Sequence, residues 1–281
     1  QMIDENRLIQ IVDFEDSKVC FPGLNIDGGV NYMLWDRDYS GELVYTFITN
    51  EGQTLKKKRG LGNPYFDFVI RDFRVFEILK KVREPLNFMD IVSNVRPFGI
   101  RTNLFNNPQN YEYANLQRER FNDSVKIFGV VGLKGGAKRT SGCIKRSAIT
   151  SNRDAIDKYK IFFTTSYSTN AINPPAPIMA RPGEVCTETF LLIGPFLELD
   201  KANNCGKYIA TDFFKFLLFY GKGTVRVTRE VFSLIPLQDF SSQSDIDWTK
   251  PIRDIDEQLY NKYNLSNDDI AFIKNKMQNN Q

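Results

Sequence analysis

Val19-Cys20-Phe21-Pro22-Gly23-Leu24-Asn25-Ile26-Asp27-Gly28-Gly29-Val30-Asn31-Tyr32-Met33-Leu34-Trp35 is a turn-rich connection that runs into an apolar segment. A first apolar run, Leu8 to Phe14, precedes it, and Val30 to Trp35 closes it. Both runs are short, β-branched or aromatic, and bounded by Asp, Gly and Pro, which is the pattern of strands. The connection sets Phe21 where the chain passes near solvent. Phe21 is either an ordinary loop residue tucked onto a core or an aromatic face offered to something outside the fold.

Working outward, Glu42 to Ile48 reads as a third strand after the turn Asp38-Tyr39-Ser40-Gly41. Near-continuous apolarity in the first two strands argues for a sheet covered on both faces. Three strands without crossover helices cannot make that environment, so the segment reads as the margin of a larger α/β domain. From Tyr65 to about Arg83 the pattern is helical and stops before Pro85. Ser124 to Val131, the stretch around Ile144, and Tyr159 to Thr165 read as strands of a second unit. Asn173-Pro174-Pro175-Ala176-Pro177 is a stiff loop, because successive prolines cannot join a ladder. One long helix is expected from Asp200 to Tyr220, with Ala202, Cys205, Ile209, Phe213, Phe216 and Tyr220 on one stripe and Thr211 opposite. Ser266 with Asp269 fits a capping box at the start of a last helix, and Leu265 with Ile270 a hydrophobic staple.

The 281 residues suffice for one large domain or two modest ones. The chain opens on Gln1, as an excised fragment or a tag remnant would. No leader pattern or membrane-length apolar run is legible. Four widely spaced cysteines, Cys20, Cys143, Cys186 and Cys205, suggest free thiols in a reducing setting. Histidine is absent, which excludes His-based triads, His acid–base catalysis and His-containing metal sites together.

Net charge is +3 but uneven. Lys56-Lys57-Lys58-Arg59 is one basic cluster, and Lys126 to Lys160 is another, containing Lys134, Lys138, Arg139, Lys145, Arg146, Arg153 and Lys158. That distribution suits a polyanion partner. It equally suits a solvated lysine surface.

Gly62-Asn63-Pro64-Tyr65 and Asn173-Pro174-Pro175-Ala176 mimic the Asn/Asp-Pro-Pro-aromatic motif of amino-methyltransferases, but one lacks a proline and the other the aromatic, so both read as turns. Gly132-Leu133-Lys134-Gly135-Gly136-Ala137-Lys138 is not a P-loop; it reads as a basic turn whose amides and lysines can approach phosphates. Asp16-Ser17-Lys18 is the nearest approach to a metal-nuclease pattern and reads as a surface turn.

Val19 to Gly23, then Gly28-Gly29-Val30 and a strand ending Trp35-Asp36-Arg37-Asp38, resembles a late motif of gamma-class adenine amino-methyltransferases of restriction–modification systems, including the single-chain enzymes. Arg71-Asp72 followed by Ile78 to Val82, and then Arg96 to Asn103, looks like the linker into their target-recognition domain. Val185 to Gly194 resembles a strand of that domain, and Val231 to Phe240 its closing strand. Trp248-Thr249, Leu259 to Tyr263 and Ile270 to Ile273 look like the family's C-terminal helices.

The resemblance implies an α+β chain: distal strands of a methyltransferase sheet (1–55), a helical linker and loop (56–120), a target-recognition domain (121–240) and C-terminal helices (241–281). It implies that Phe21 stacks on an adenine flipped out of the duplex, an arrangement that offsets the cost of unstacking. The phosphate candidates are Lys134, Lys138, Arg139, Lys145, Arg146, Arg226 and Arg229. Asn-Pro-Pro-aromatic and the glycine motif for S-adenosylmethionine precede this region in the family and are missing here. The chain is therefore expected to bind no cofactor and to be inactive alone. Its expected partners are double-stranded DNA and either the missing N-terminal methyltransferase domain or a separate catalytic subunit, without membrane contact, in a prokaryotic cytoplasm.

Overall fold

The computed structural model describes residues 6–24, 26, 28–60, 69–132, 136–168 and 171–278. Mixed α and β elements divide between two units, Gln1–Val82 and Arg83–Gln281. That division falls inside the segment expected as a linker, and the helix expected there belongs to the first unit.

In the first unit, β1 (Leu8–Phe14) pairs antiparallel with β2 (Val30–Trp35) and parallel with β3 (Leu43–Ile48), which pairs antiparallel with β4 (Thr54–Arg59). The order is β2-β1-β3-β4, so β2 and β4 are the edges. Leu8, Ile11, Leu43, Tyr45 and Phe47 form the core, with Leu55, Val69 and Phe73 packed against it. α1 (Phe73–Val82) buries Val75, Ile78, Leu79 and Val82. It begins later than the apolar pattern suggested because the Asp72 carboxylate accepts from the Arg74 N–H at 2.9 Å and marks the helix start. The earlier part of that expected helix, with Gly62-Asn63-Pro64-Tyr65, lies outside the described residues.

The sequence pattern argues for a sheet covered on both faces but only as the margin of a larger domain, and in this chain Tyr32, Met33, Leu34 and Trp35 of β2 are all exposed, with consecutive residues on opposite faces. β2 is an edge strand, and nothing among the described residues buries it. β4 was not foreseen as a strand, since Lys56-Lys57-Lys58-Arg59 has no apolar alternation; pairing with β3 makes it one.

The second unit holds two three-stranded sheets. In one, β5 (Ser124–Val131) lies between β6 (Lys138–Lys145) and β9 (Glu184–Cys186). In the other, β7 (Tyr159–Thr164) lies between β8 (Ile178–Ala180) and β10 (Phe190–Phe196). Their shared core includes Phe98, Ile100, Val125, Ile127, Ile144, Phe162, Val185 and Phe190. The stretch expected as one strand, Val185 to Gly194, is thus two strands in different sheets.

The helix expected from Asp200 to Tyr220 is two, α2 (Leu199–Ala210) and α3 (Asp212–Gly221). Thr211 between them is extended, and its hydroxyl accepts from the Phe214 N–H at 3.1 Å. The buried Asp256 carboxylate, on α4 (Ile252–Lys262), accepts from the N–H groups of Asp212 at 3.1 Å and Phe213 at 2.8 Å. Two side chains therefore satisfy donors that a continuous helix would have bonded internally.

The expected closing strand, Val231 to Phe240, also differs. Arg229–Leu234 is a 3₁₀ turn whose Phe232 packs on Phe88, Phe163 and Phe214, and Pro236 beyond it makes an isolated antiparallel bridge with Asn87, so the apolar run fills a core and forms no continuous strand. At the end, α5 (Asn267–Gln278) starts as expected: the Ser266 hydroxyl accepts from the Asp269 N–H, and the Asp269 carboxylate accepts from the Ser266 N–H.

Candidate nucleic-acid interface

The connection between β1 and β2 is built from hydrogen bonds. After Asp16, whose carboxylate caps a short 3₁₀ turn at Ser17–Val19, the buried Ser17 hydroxyl donates to the Leu24 carbonyl at 3.2 Å and accepts from the Ile26 N–H at 2.9 Å. The Phe21 N–H donates to the Ser17 carbonyl at 2.9 Å, and the Leu24 N–H to the Phe21 carbonyl at 3.0 Å. Gly23 takes φ +89° between them. The Phe21 side chain, for which a core position was one reading, is 48% exposed at the head of this turn. Val19, Leu24 and Ile26 are exposed around it in the same loop.

Beneath the loop, the Asp13 carboxylate on β1 is buried and accepts three bonds. Arg71 donates from Nε at 2.7 Å and from Nη2 at 2.6 Å, and the Tyr45 hydroxyl donates at 2.5 Å. Burial and then the Asp13 charge push the Tyr45 hydroxyl pKa well up, so this phenol stays a donor. Arg71 also donates to the carbonyls of Phe14 at 3.0 Å and Gly28 at 2.8 Å. In the sequence Arg71 stands only within the stretch that looks like a linker, and no spacing signal brings it to Asp13, since the two are 58 positions apart.

The basic cluster of β4 is partly absorbed. The Arg59 guanidinium lies 4.8 Å from the Tyr45 ring centroid and donates to the Ile70 carbonyl, while Lys56, Lys57 and Lys58 are exposed.

In the second unit the phosphate candidates separate into groups. Lys138 and Arg139 are exposed at the turn end of the β5–β6 hairpin, opposite Val131 and Val130. Asn106 ties that turn down by accepting from the Gly132 N–H at 2.9 Å. Lys145 is exposed at the far end of β6, opposite Ser124. Lys134 lies outside the described residues.

Arg146 is held by Asp157 through two guanidinium–carboxylate bonds, which keep the Asp157 carboxyl below its ordinary range. That pair is solvent-facing, so phosphate can compete for the guanidinium at little cost. The Arg226 side chain is exposed. Arg229 donates to the Met89 carbonyl at 2.8 Å and lies 3.9 Å from Asp90.

Lys160, the last member of the basic segment, is fully buried. Its ammonium donates to the carbonyls of Ile156, Lys158 and Arg181, and burial lowers its pKa to about 8.

Two segments quoted from the sequence meet through Glu188. Its carboxylate accepts from Arg96 Nε at 2.8 Å and from the Thr102 N–H at 3.3 Å, and its own N–H donates to the Ile100 carbonyl. Among the described residues, no group of Cys, Asp and Glu is placed to hold a metal ion, and no helix is long and apolar enough to cross a membrane. All four cysteines are free.

No protein-family model and no curated protein matches the chain. Among solved structures it is similar to the type IIL restriction-modification enzyme MmeI in complex with DNA, with a TM-score of 0.42 and 11% identity. The likeness covers 97% of this chain and 46% of that one, so the chain spans about half of that enzyme's length. A likeness this distant carries neither fold nor activity across.

Proposed function

We propose that the chain is the DNA-recognition region of a restriction–modification enzyme of the gamma adenine-methyltransferase type. In this reading Phe21 stacks on the flipped adenine, and Lys138, Arg139, Lys145, Arg146 and Arg226, with Lys134 and Arg229, contact phosphates. Phosphate contacts would hold the duplex, and base edges would be read by other side chains. S-adenosylmethionine and the methyl transfer to the adenine amino group belong to a catalytic domain outside this sequence, and the chain alone is inactive.

The observation that carries the reading is the presentation of Phe21. A loop with internal hydrogen bonds, clipped at both ends, leaves about half of an aromatic residue open to solvent, where part of its burial energy is forgone. Stacking on a base can return roughly 1–3 kcal/mol. A duplex with an adenine opposite an abasic site is expected to bind more tightly than the same duplex fully paired, and Phe21→Ala should remove that preference. Equal affinity for both duplexes in the parent chain would sink the stacking role.

The β2 edge favours a catalytic partner that adds a strand. β2 has no charged residue and no proline, and its Tyr32, Met33, Leu34 and Trp35 are exposed across both faces, unlike the lysine-bearing β4 edge. The same edge serves two arrangements: the missing methyltransferase domain on one polypeptide, or a separate catalytic subunit to which this chain docks as a specificity subunit. Upstream codons for Asn-Pro-Pro-aromatic in the gene decide for the first.

A further inference from the structure

We propose that Arg71 is the positioning residue of the Phe21 loop, clipping its two ends together from a seat on Asp13. The inference rests on the base-stacking reading for its purpose, but the clip is a property of this chain alone.

A guanidinium is a planar fork of five donors. Four bonds from Arg71 are placed: Nε and Nη2 grip the two Asp13 oxygens, Nη2 also reaches the Phe14 carbonyl, and Nη1 reaches the Gly28 carbonyl. Phe14 is the last residue of β1, and Gly28 stands two residues before β2. One side chain thus bonds the exit and the return of the loop that carries Phe21. Asp13 fixes the fork's plane, and the Tyr45 hydroxyl fixes Asp13.

The backbone makes room for this clip. Gly29 has φ +78°, and a Cβ there would meet the Phe14 carbonyl oxygen at 2.2 Å and Arg71 Nη2 at 2.8 Å. A side chain at position 29 would fall between the guanidinium and the carbonyl it holds. The glycine is therefore required by the close approach as well as by its conformation.

Lysine cannot replace this geometry. An ammonium gathers its three donors at one atom, which suits the convergent carbonyls around Lys160, but it has no planar fork to grip both Asp13 oxygens from two nitrogens while a third reaches Gly28. Arg71→Lys keeps the charge beside Asp13 and loses the clip. Gly29→Ala breaks the clip while leaving both Arg71 and Asp13 in place.

Hydrogen exchange of the full chain, followed by mass spectrometry, tests the inference without DNA. In both variants, amides inside the loop, at Phe21, Leu24, Ile26 and Gly29, are expected to exchange at least ~10-fold faster while β1 and β3 amides keep their parental rates. Unchanged loop exchange, or an equal rise across the whole sheet, would overturn the clip; the latter marks Arg71 as a general stability residue. A second arm uses Phe21→Trp and its fluorescence quenching by a single-stranded deoxyadenosine oligonucleotide. Quenching that is present in Phe21→Trp and weakened by adding Arg71→Lys supports the positioning role. Quenching unaltered by Arg71→Lys overturns that role. Absent quenching with loosened loop exchange refutes base stacking and still supports the clip.

Discussion

β2 and β4 are the two edges of one four-stranded sheet, and they are made from opposite materials. β4 carries Lys56, Lys57, Lys58 and Arg59, the charged trim that keeps an edge from recruiting another strand. β2 carries Val30, Asn31, Tyr32, Met33, Leu34 and Trp35, with nothing to discourage pairing and side chains exposed on both faces. Among the described residues, the sheet is protected at one edge and open to a further strand at the other, as the proposed catalytic partner requires. In the second unit Phe88, Phe162, Phe163, Phe213, Phe214 and Phe232 are all fully buried, and its exposed apolar side chains, such as Leu86 and Leu197, do not line one strand.

The largest expected effect sharpens that contrast. Phe214 is buried edge-on against Phe88 and Tyr208, and Phe214→Ala should cost about 3–5 kcal/mol in chemical denaturation of the second unit. Trp35 is the larger side chain, yet Trp35→Ala should stay within about 1 kcal/mol of the parent because its ring is exposed. A Trp35 cost matching that of Phe214 would mean the isolated chain already covers β2, and the comparison would fail.

Next comes the buried carboxylate that splits α2 from α3. Burial raises the Asp256 pKa to about 6, against the opposing pull of the two N–H groups it accepts from. The folded state then holds a proton that the unfolded chain releases between about pH 4 and 6. Stability from this group is full at low pH and is lost as pH rises through that window. Asp256→Asn should flatten the second unit's denaturation midpoint between these pH values, and an unchanged pH profile would contradict the assignment.

The smallest effect on folding is expected at β2 itself. Leu34→Lys should change stability by no more than about 0.5 kcal/mol, because Leu34 is 53% exposed. The same substitution should abolish strand addition by a catalytic partner, read by analytical ultracentrifugation of the mixture. Undiminished complex formation would remove β2 as the docking edge.

The sequence disclosed local features well and distant ones poorly. β1, β2 and the Ser266 capping box were legible because their signals lie within a few residues: turn formers around apolar runs, and a hydroxyl three residues before a carboxylate. The break at Thr211 was not, because half of its cause is Asp256, more than 40 positions away on another helix. β4 was invisible because its strand state comes from pairing with β3 and not from its own residues. Phe21 could be singled out as a loop aromatic, but the clip beneath it depends on the meeting of Asp13 with Arg71. Lys160 shows the opposite failure: charge counting placed it in a basic surface segment, and three carbonyls hold it in the interior.

Duplex binding at two salt concentrations tests the central claim most directly. The parent chain should lose affinity steeply between about 50 and about 200 mM salt, as expected when several phosphates are neutralised. Combined Lys138→Ala, Arg139→Ala and Lys145→Ala should weaken binding across sequences and lower the slope by about 1 for each contact removed. Binding that is absent at low salt, or that barely changes with salt, would contradict a DNA-recognition role for this chain.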